Sequence, residues 1–201
     1  MLIIAHRINR ISQLAEVPHR YGVEVDVRAY MDDLVLNHEP FETGDSLDEY
    51  IKNFSHAFII FNIKEAGIEK RVIETAKRHG IENYFLLDVE AYWIHHATER
   101  GFKKIAVRYS ENEPLQSALV YKGRAEWLWI DIPTKLPLSE EIVSQIREFR
   151  TCLVCPERWN RPHEIQGYID EIKSLDFKLD AVMTSLKHAE QWEELGRHYQ
   201  N

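Results

Sequence analysis

Cysteine is almost missing from this chain: Cys152 and Cys155 are the only two in 201 residues. They sit in one apolar run, with no second Cys pair and no His at zinc-finger spacing. A disulfide framework and a Cys-based zinc site are therefore excluded, and buried, reduced thiols are expected; a redox CxxC is the alternative, weakened because no helix start follows directly. Basic residues are also short, 25 Lys and Arg against 33 Asp and Glu, for a net charge of -8. That balance argues against a nucleic-acid partner, so an anionic ligand would have to meet a local positive site. No apolar run approaches membrane-spanning length, and the opening run, Leu2 to Ala5, is too short for a secretory core and meets His6 and Arg7 at once. A cytoplasmic protein with no membrane span is expected. With eight glycines in all, no Gly-rich phosphate loop follows the first apolar run. No linker or low-complexity tract divides the chain, and a single domain over residues 1–201 is predicted.

What is present is a rhythm. Short apolar runs recur as LIIAH, VEVDV, FIIFNI, YFLLD, KIAVR, WLWID, CLVC and DAVMT. Between most of them lie stretches with helical periodicity, among them Ile68 to Ala76, Ala91 to Arg100, Ser139 to Phe149 and His163 to Leu175. Ser139 ahead of Glu140 reads as a helix start, and Gly80 and Gly101 fall where helices should stop. Strand then helix, eight times over, is the pattern of a parallel sheet closed into a compact (β/α)8 TIM barrel, with an open doubly wound sheet as the alternative. A further run, Leu34 to Leu36, leads into Asn37 and His38 and reads as an excursion after the second strand.

The second run, VEVDVR, carries two acids. In a strand successive side chains alternate faces, so Val23, Val25 and Val27 share one face and Glu24 and Asp26 the other. Their Cβ atoms then lie about 6.6 Å apart, close enough to repel if both ionise away from water. A divalent cation, a Lys or Arg partner, or a shared proton would each offset that repulsion.

Polar residues end the apolar runs: His6 and Arg7, Glu24 and Asp26, Asn62 and Lys64, Asp88, Arg108, Asp131, Glu157 and Thr184. In a parallel barrel those ends meet at one face, where active sites are built. The plainer account is that strands leave the core there and polar residues follow; it explains less well why acids, bases and two histidines occur together. By parity Trp127, Trp129 and Asp131 share a face, so Trp129 could stack on a sugar or glycerol moiety. Asp88, Trp129, Asp131 and Glu157 are the candidate pocket residues.

IIAHR at the start, EVDVR some eighteen residues on, the His, acid and Pro of NHEP, and NIK ending the third barrel strand together resemble the glycerophosphodiester phosphodiesterases, within the wider phospholipase C-like phosphodiesterase barrels. The resemblance implies a metal-assisted hydrolase acting on small phosphodiesters such as those of lipid metabolism, with passage through a cyclic phosphate as one route. His6 and His38 would be its acid-base pair. Arg7, with Lys64 and Arg108, would hold phosphate oxygens, and Glu24, Asp26 and Asn62 would face Mg2+ or Ca2+. Hard oxygen ligands suit such a cation, and histidines suit proton transfer near neutral pH. Three departures stand out. Ile8 replaces the family's glycine after His-Arg, Asn62 replaces its third acid, and the segment after His38 is short, leaving a more open cup.

Other readings stay open. The acid pair could be salt-bridged by Arg28, Lys64 or Arg108, and the histidines could be structural. A non-catalytic barrel binding a phosphorylated sugar or polyol is the main rival, and a Schiff-base chemistry at Lys64 leaves the paired acids unexplained.

Overall fold

The structure is a computed structural model, and it describes residues 1–199. The chain divides into two compact units, one formed by Ile4–His96, the other by Met1–Ile3 with the chain from Ala97 onward.

The Ile4–His96 unit takes the end of β1 (Leu2–Ala5) and then α1 (Ile11–Leu14), β2 (Gly22–Tyr30), β3 (Asp33–Leu36), β4 (Asp45–Ser46), α2 (Leu47–Lys52), β5 (Phe58–Ile63), α3 (Glu69–Arg78), β6 (Tyr84–Leu87) and the start of α4 (Ala91–Glu99). β1, β2, β5 and β6 pair in parallel, in the register Ala5 to Val23, Asp26 to Asn62 and Asn62 to Leu87. Val23, Val25, Val27, Ile59, Ile60 and Phe61 are fully buried, as expected for strands covered on both faces. Nine residues long, β2 runs well beyond its acid pair. Its far end turns at Met31 and is met by β3, antiparallel, pairing Val27 with Leu36 and Tyr30 with Asp33. The expected excursion is therefore a hairpin, and β4 closes it by pairing Leu36 with Asp45.

The second unit continues with β7 (Ala106–Tyr109), α5 (Leu115–Leu119), β8 (Trp127–Ile130), α6 (Glu140–Ile146), β9 (Arg150–Val154), α7 (Ile165–Ser174), β10 (Ala181–Thr184) and α8 (Ala189–His198). β7, β8, β9 and β10 pair in parallel in that order, and the Leu2 N–H donates to the Asp180 carbonyl at 2.8 Å. The mixed α/β class with a large, mostly parallel sheet is thus the one the strand–helix rhythm predicts. Local signals act where they were read. Ser139 accepts a bond from the Ile142 N–H at the head of α6. Gly80 and Gly101, at φ 69° and 84°, follow the ends of α3 and α4, a conformation that costs glycine little. Cys152 and Cys155 are buried and unbridged, and Cys155 Sγ accepts a bond from the Trp192 indole. Among the described residues no helix is long and apolar enough to cross a membrane.

Candidate active site

Glu24 and Asp26 are both 1% exposed, on the face of β2 that parity assigns them. Because β2 and β5 pair in parallel with Asp26 opposite Asn62, the amide of Asn62 lies beside the acids. The Asn62 Nδ2 group donates to Glu24 Oε1 at 2.8 Å, while its Oδ1 is buried without a hydrogen-bond partner.

The segment leaving β1 wraps over the same acids. Arg7 adopts φ 54°, left-handed for a non-glycine residue, which turns its N–H onto Glu24 Oε2 at 2.8 Å. The next N–H, of Ile8, donates to the Glu24 carbonyl at 2.9 Å. Asn9 grips Asp26 in both directions: its Nδ2 donates to Asp26 Oδ2 at 2.8 Å, and its Oδ1 accepts from the Asp26 N–H at 2.9 Å. His6 Nε2 lies 3.8 Å from Glu24 Oε2. Arg7 Nε is 3.5 Å from Asp26 Oδ2, and Lys64 Nζ is 3.2 Å from Asp26 Oδ1 and 3.8 Å from Asp88 Oδ2.

Burial pushes the Glu24 carboxyl up, to about 7, and the charge of Asp26 pushes the same way; Asn62, the Arg7 N–H and Lys64 pull back without cancelling the two.

The excursion delivers the second histidine. The Asn37 N–H donates to the Asp26 carbonyl at 3.0 Å, and Arg28 fixes the next residue by giving Nη2 and Nε to the His38 carbonyl at 2.9 and 3.2 Å. His38 Nδ1 meets Glu39 Oε1 at 2.7 Å, and that bond holds the Glu39 carboxyl below its ordinary range. A carboxylate only accepts, so in this contact Nδ1 carries the hydrogen. His6, Arg7, Glu24, Asp26, His38, Asn62, Lys64 and Asp88 all belong to the Ile4–His96 unit.

The remaining candidates lie in the second unit. Arg108 donates Nε to Glu113 Oε1 and Nη2 to Asp131 Oδ2, each at 2.7 Å. Asp131 Oδ1 also accepts from the Trp159 indole at 3.0 Å. Glu157 Oε1 accepts from the Ser185 N–H at 2.7 Å, and Trp129 is buried. Sequence reasoning gave no role to Asn9, Glu39 or Glu113. The signal for Asn9 was its place in a turn directly after His6 and Arg7, where an amide side chain can bond backbone and carboxylate together.

The expected ligand set for Mg2+ or Ca2+ fits this arrangement poorly. Each of the four oxygens of Glu24 and Asp26 already faces an N–H or cationic donor: Asn62, Arg7, Lys64 and Asn9. Asn62 turns an N–H, not an oxygen, toward Glu24. Among the described residues no group of three or more His, Cys, Asp or Glu could hold a metal ion.

No protein-family model matches this sequence, and no curated protein matches it significantly. Solved structures do share its fold. A putative glycerophosphoryl diester phosphodiesterase from Agrobacterium tumefaciens superposes with a TM-score of 0.68 at 12% identity, over 100% of this chain and 99% of that one. A glycerophosphodiester phosphodiesterase from the same organism gives 0.64 at 12% identity, over 91% and 96%. A glycerophosphoryl diester phosphodiesterase from Parabacteroides distasonis gives 0.58 at 12% identity, over 90% and 81%. The chain thus has the fold of the family its motifs resemble.

Proposed function

We propose that the Ile4–His96 unit carries the active site of a hydrolase for small phosphodiesters of the glycerophosphodiester kind. The observation that carries this reading is the convergence of His6, Arg7, Lys64 and the buried acid pair at the ends of β1, β2 and β5. Likeness to solved phosphodiesterases supports it from the side of the fold.

In this reading Arg7 and Lys64 draw the phosphate oxygens to the strand ends, with Arg7 the better fork for two oxygens. A hydroxyl next to the phosphate on the substrate attacks phosphorus and gives its proton to one imidazole. The bond from phosphorus to the leaving alcohol breaks as the other imidazole donates a proton to that oxygen, yielding a cyclic phosphate. Water then opens the ring with the two roles exchanged. His6 Nε2 lies 3.8 Å from Glu24 Oε2, and the contact of His38 Nδ1 with Glu39 suits His38 to act through Nε2. No covalent nucleophile on the protein is needed. The test is turnover of a panel of glycerophosphodiesters, followed by phosphorus NMR, for the wild type and His6→Ala. A folded wild type that cleaves none of them would refute the reading.

A second reading, a barrel that binds a phosphorylated sugar or polyol without cleaving it, draws on Asn62 in place of an acid. Saturable binding of glycerol phosphate by a protein that turns over no diester would favour it.

A further inference from the structure

A buried carboxylate pair has to be neutralised by something, and the distances say by what. Lys64 Nζ stands 3.2 Å from Asp26 Oδ1, and its side chain is largely buried. Arg7 Nε stands 3.5 Å from Asp26 Oδ2, which also accepts the Asn9 amide. On Glu24, Oε1 is taken by Asn62 Nδ2 and Oε2 by the Arg7 N–H. A cation the size of Mg2+ or Ca2+ must lie about 2.0 to 2.6 Å from its oxygens and replace most of its hydration with them. To admit one here, Lys64 would have to leave Asp26, and the Asn62 amide would have to turn over so that Oδ1 rather than Nδ2 faced inward. Neither change is compensated by a third carboxylate, because the position on β5 that could supply it is Asn62 itself.

We infer that this site works without a divalent cation, Lys64 and Arg7 holding in place the positive charge that a metal ion would otherwise bring to the acid pair. The buried acceptor left over, Asn62 Oδ1, then serves a hydroxyl of the ligand or a water rather than a metal. The substrate half of this inference rests on the phosphodiesterase reading; the charge half stands on the geometry alone.

The 201-residue protein, stripped with EDTA, is titrated with Ca2+ and Mg2+ by calorimetry and with Mn2+ by electron paramagnetic resonance. The wild type is expected to take up none of the three at concentrations up to about 1 mM, the weak end of protein Ca2+ sites, and its melting temperature should not move. Lys64→Gln, and Asn62→Glu combined with Lys64→Met, should each bind at least about tenfold more tightly, with a melting temperature that rises on adding metal. The single variant keeps the test usable if the double one does not fold. Micromolar metal binding by the wild type overturns the inference, as does a folded Lys64→Gln protein that gains no affinity. These readouts are independent of turnover. A protein that binds no metal and cleaves no diester sinks the phosphodiesterase reading alone, whereas one that cleaves only after taking up Ca2+ sinks this inference alone.

Discussion

Replacing Glu24 by glutamine should remove a specific slope from the pH dependence of folding. In the folded protein the Glu24 carboxyl holds its proton up to about 7, against an ordinary 4.5, first because it is buried and then because Asp26 lies beside it. At ~1.4 kcal/mol per tenfold change in proton affinity, that difference is worth about 3 kcal/mol. The sign follows from linkage: the folded state binds this proton more tightly than the unfolded chain does. Its contribution is complete below the unfolded value of 4.5, declines as pH rises, and is lost above about 7. The glutamine of the variant cannot titrate, so subtracting the variant's profile removes the histidines and carboxylates that titrate alike in both proteins and leaves the coupled Glu24–Asp26 pair. Urea denaturation in EDTA from about pH 5 to about pH 8 should show the wild type losing about 2 to 3 kcal/mol more than Glu24→Gln. Parallel curves would refute the reasoning, because they would mean that Lys64 and Arg7 keep Glu24 ionised throughout and that burial is outweighed.

His6→Ala and His38→Ala should each lower kcat roughly 10²–10⁴-fold with little change in Tm; a large loss of Tm with activity retained would make them structural. Asn9→Ala removes both hydrogen bonds to the buried Asp26 and should destabilise the fold by about 2 kcal/mol, measured by denaturant titration, while Asn9→Asp should cost at least as much through repulsion from Asp26. Arg7→Gly relieves a left-handed backbone worth about 1 kcal/mol yet removes the phosphate fork. It also removes a cationic partner of Asp26, so the two changes oppose each other in Tm and the expected signature is a KM raised several-fold; an unchanged KM would contradict the role given to Arg7.

Much of this site could be read from residue order because strands obey parity. The period of two puts Glu24 and Asp26 on one face from the sequence alone, and alignment of parallel strands then brings Asn62 and Lys64 to the same place. The excursion into His38 was readable too, since Leu34 to Leu36 is a ninth apolar run where eight would make the barrel. Side chains that act through turns were not readable. Asn9 stands where an amide often bonds within a turn, but its grip on Asp26 goes with Arg7 taking φ 54°, a backbone angle that the residue types His-Arg-Ile-Asn leave open. Glu39 and Glu113 bond to His38 and Arg108 through local loop geometry, which composition leaves open. The nature of the countercharge was likewise undecided in the sequence, where a cation, a lysine and a proton were equally able to quiet the acid pair. Distances separate them: Lys64 at 3.2 Å from Asp26 is a partner, while Arg108, bonded to Glu113 and Asp131, serves another cluster.

In the proposed reading His6, His38, Arg7 and Lys64 cleave phosphodiesters beside the buried acid pair Glu24 and Asp26. Phosphorus NMR of glycerophosphodiesters incubated with the EDTA-treated wild type tests it most directly. A cyclic phosphate or its ring-opened monoester is expected, formed at a rate that added Mg2+ or Ca2+ leaves unchanged and that His6→Ala lowers at least about a hundredfold. Intact diesters after long incubation with folded protein, with or without metal, would contradict it.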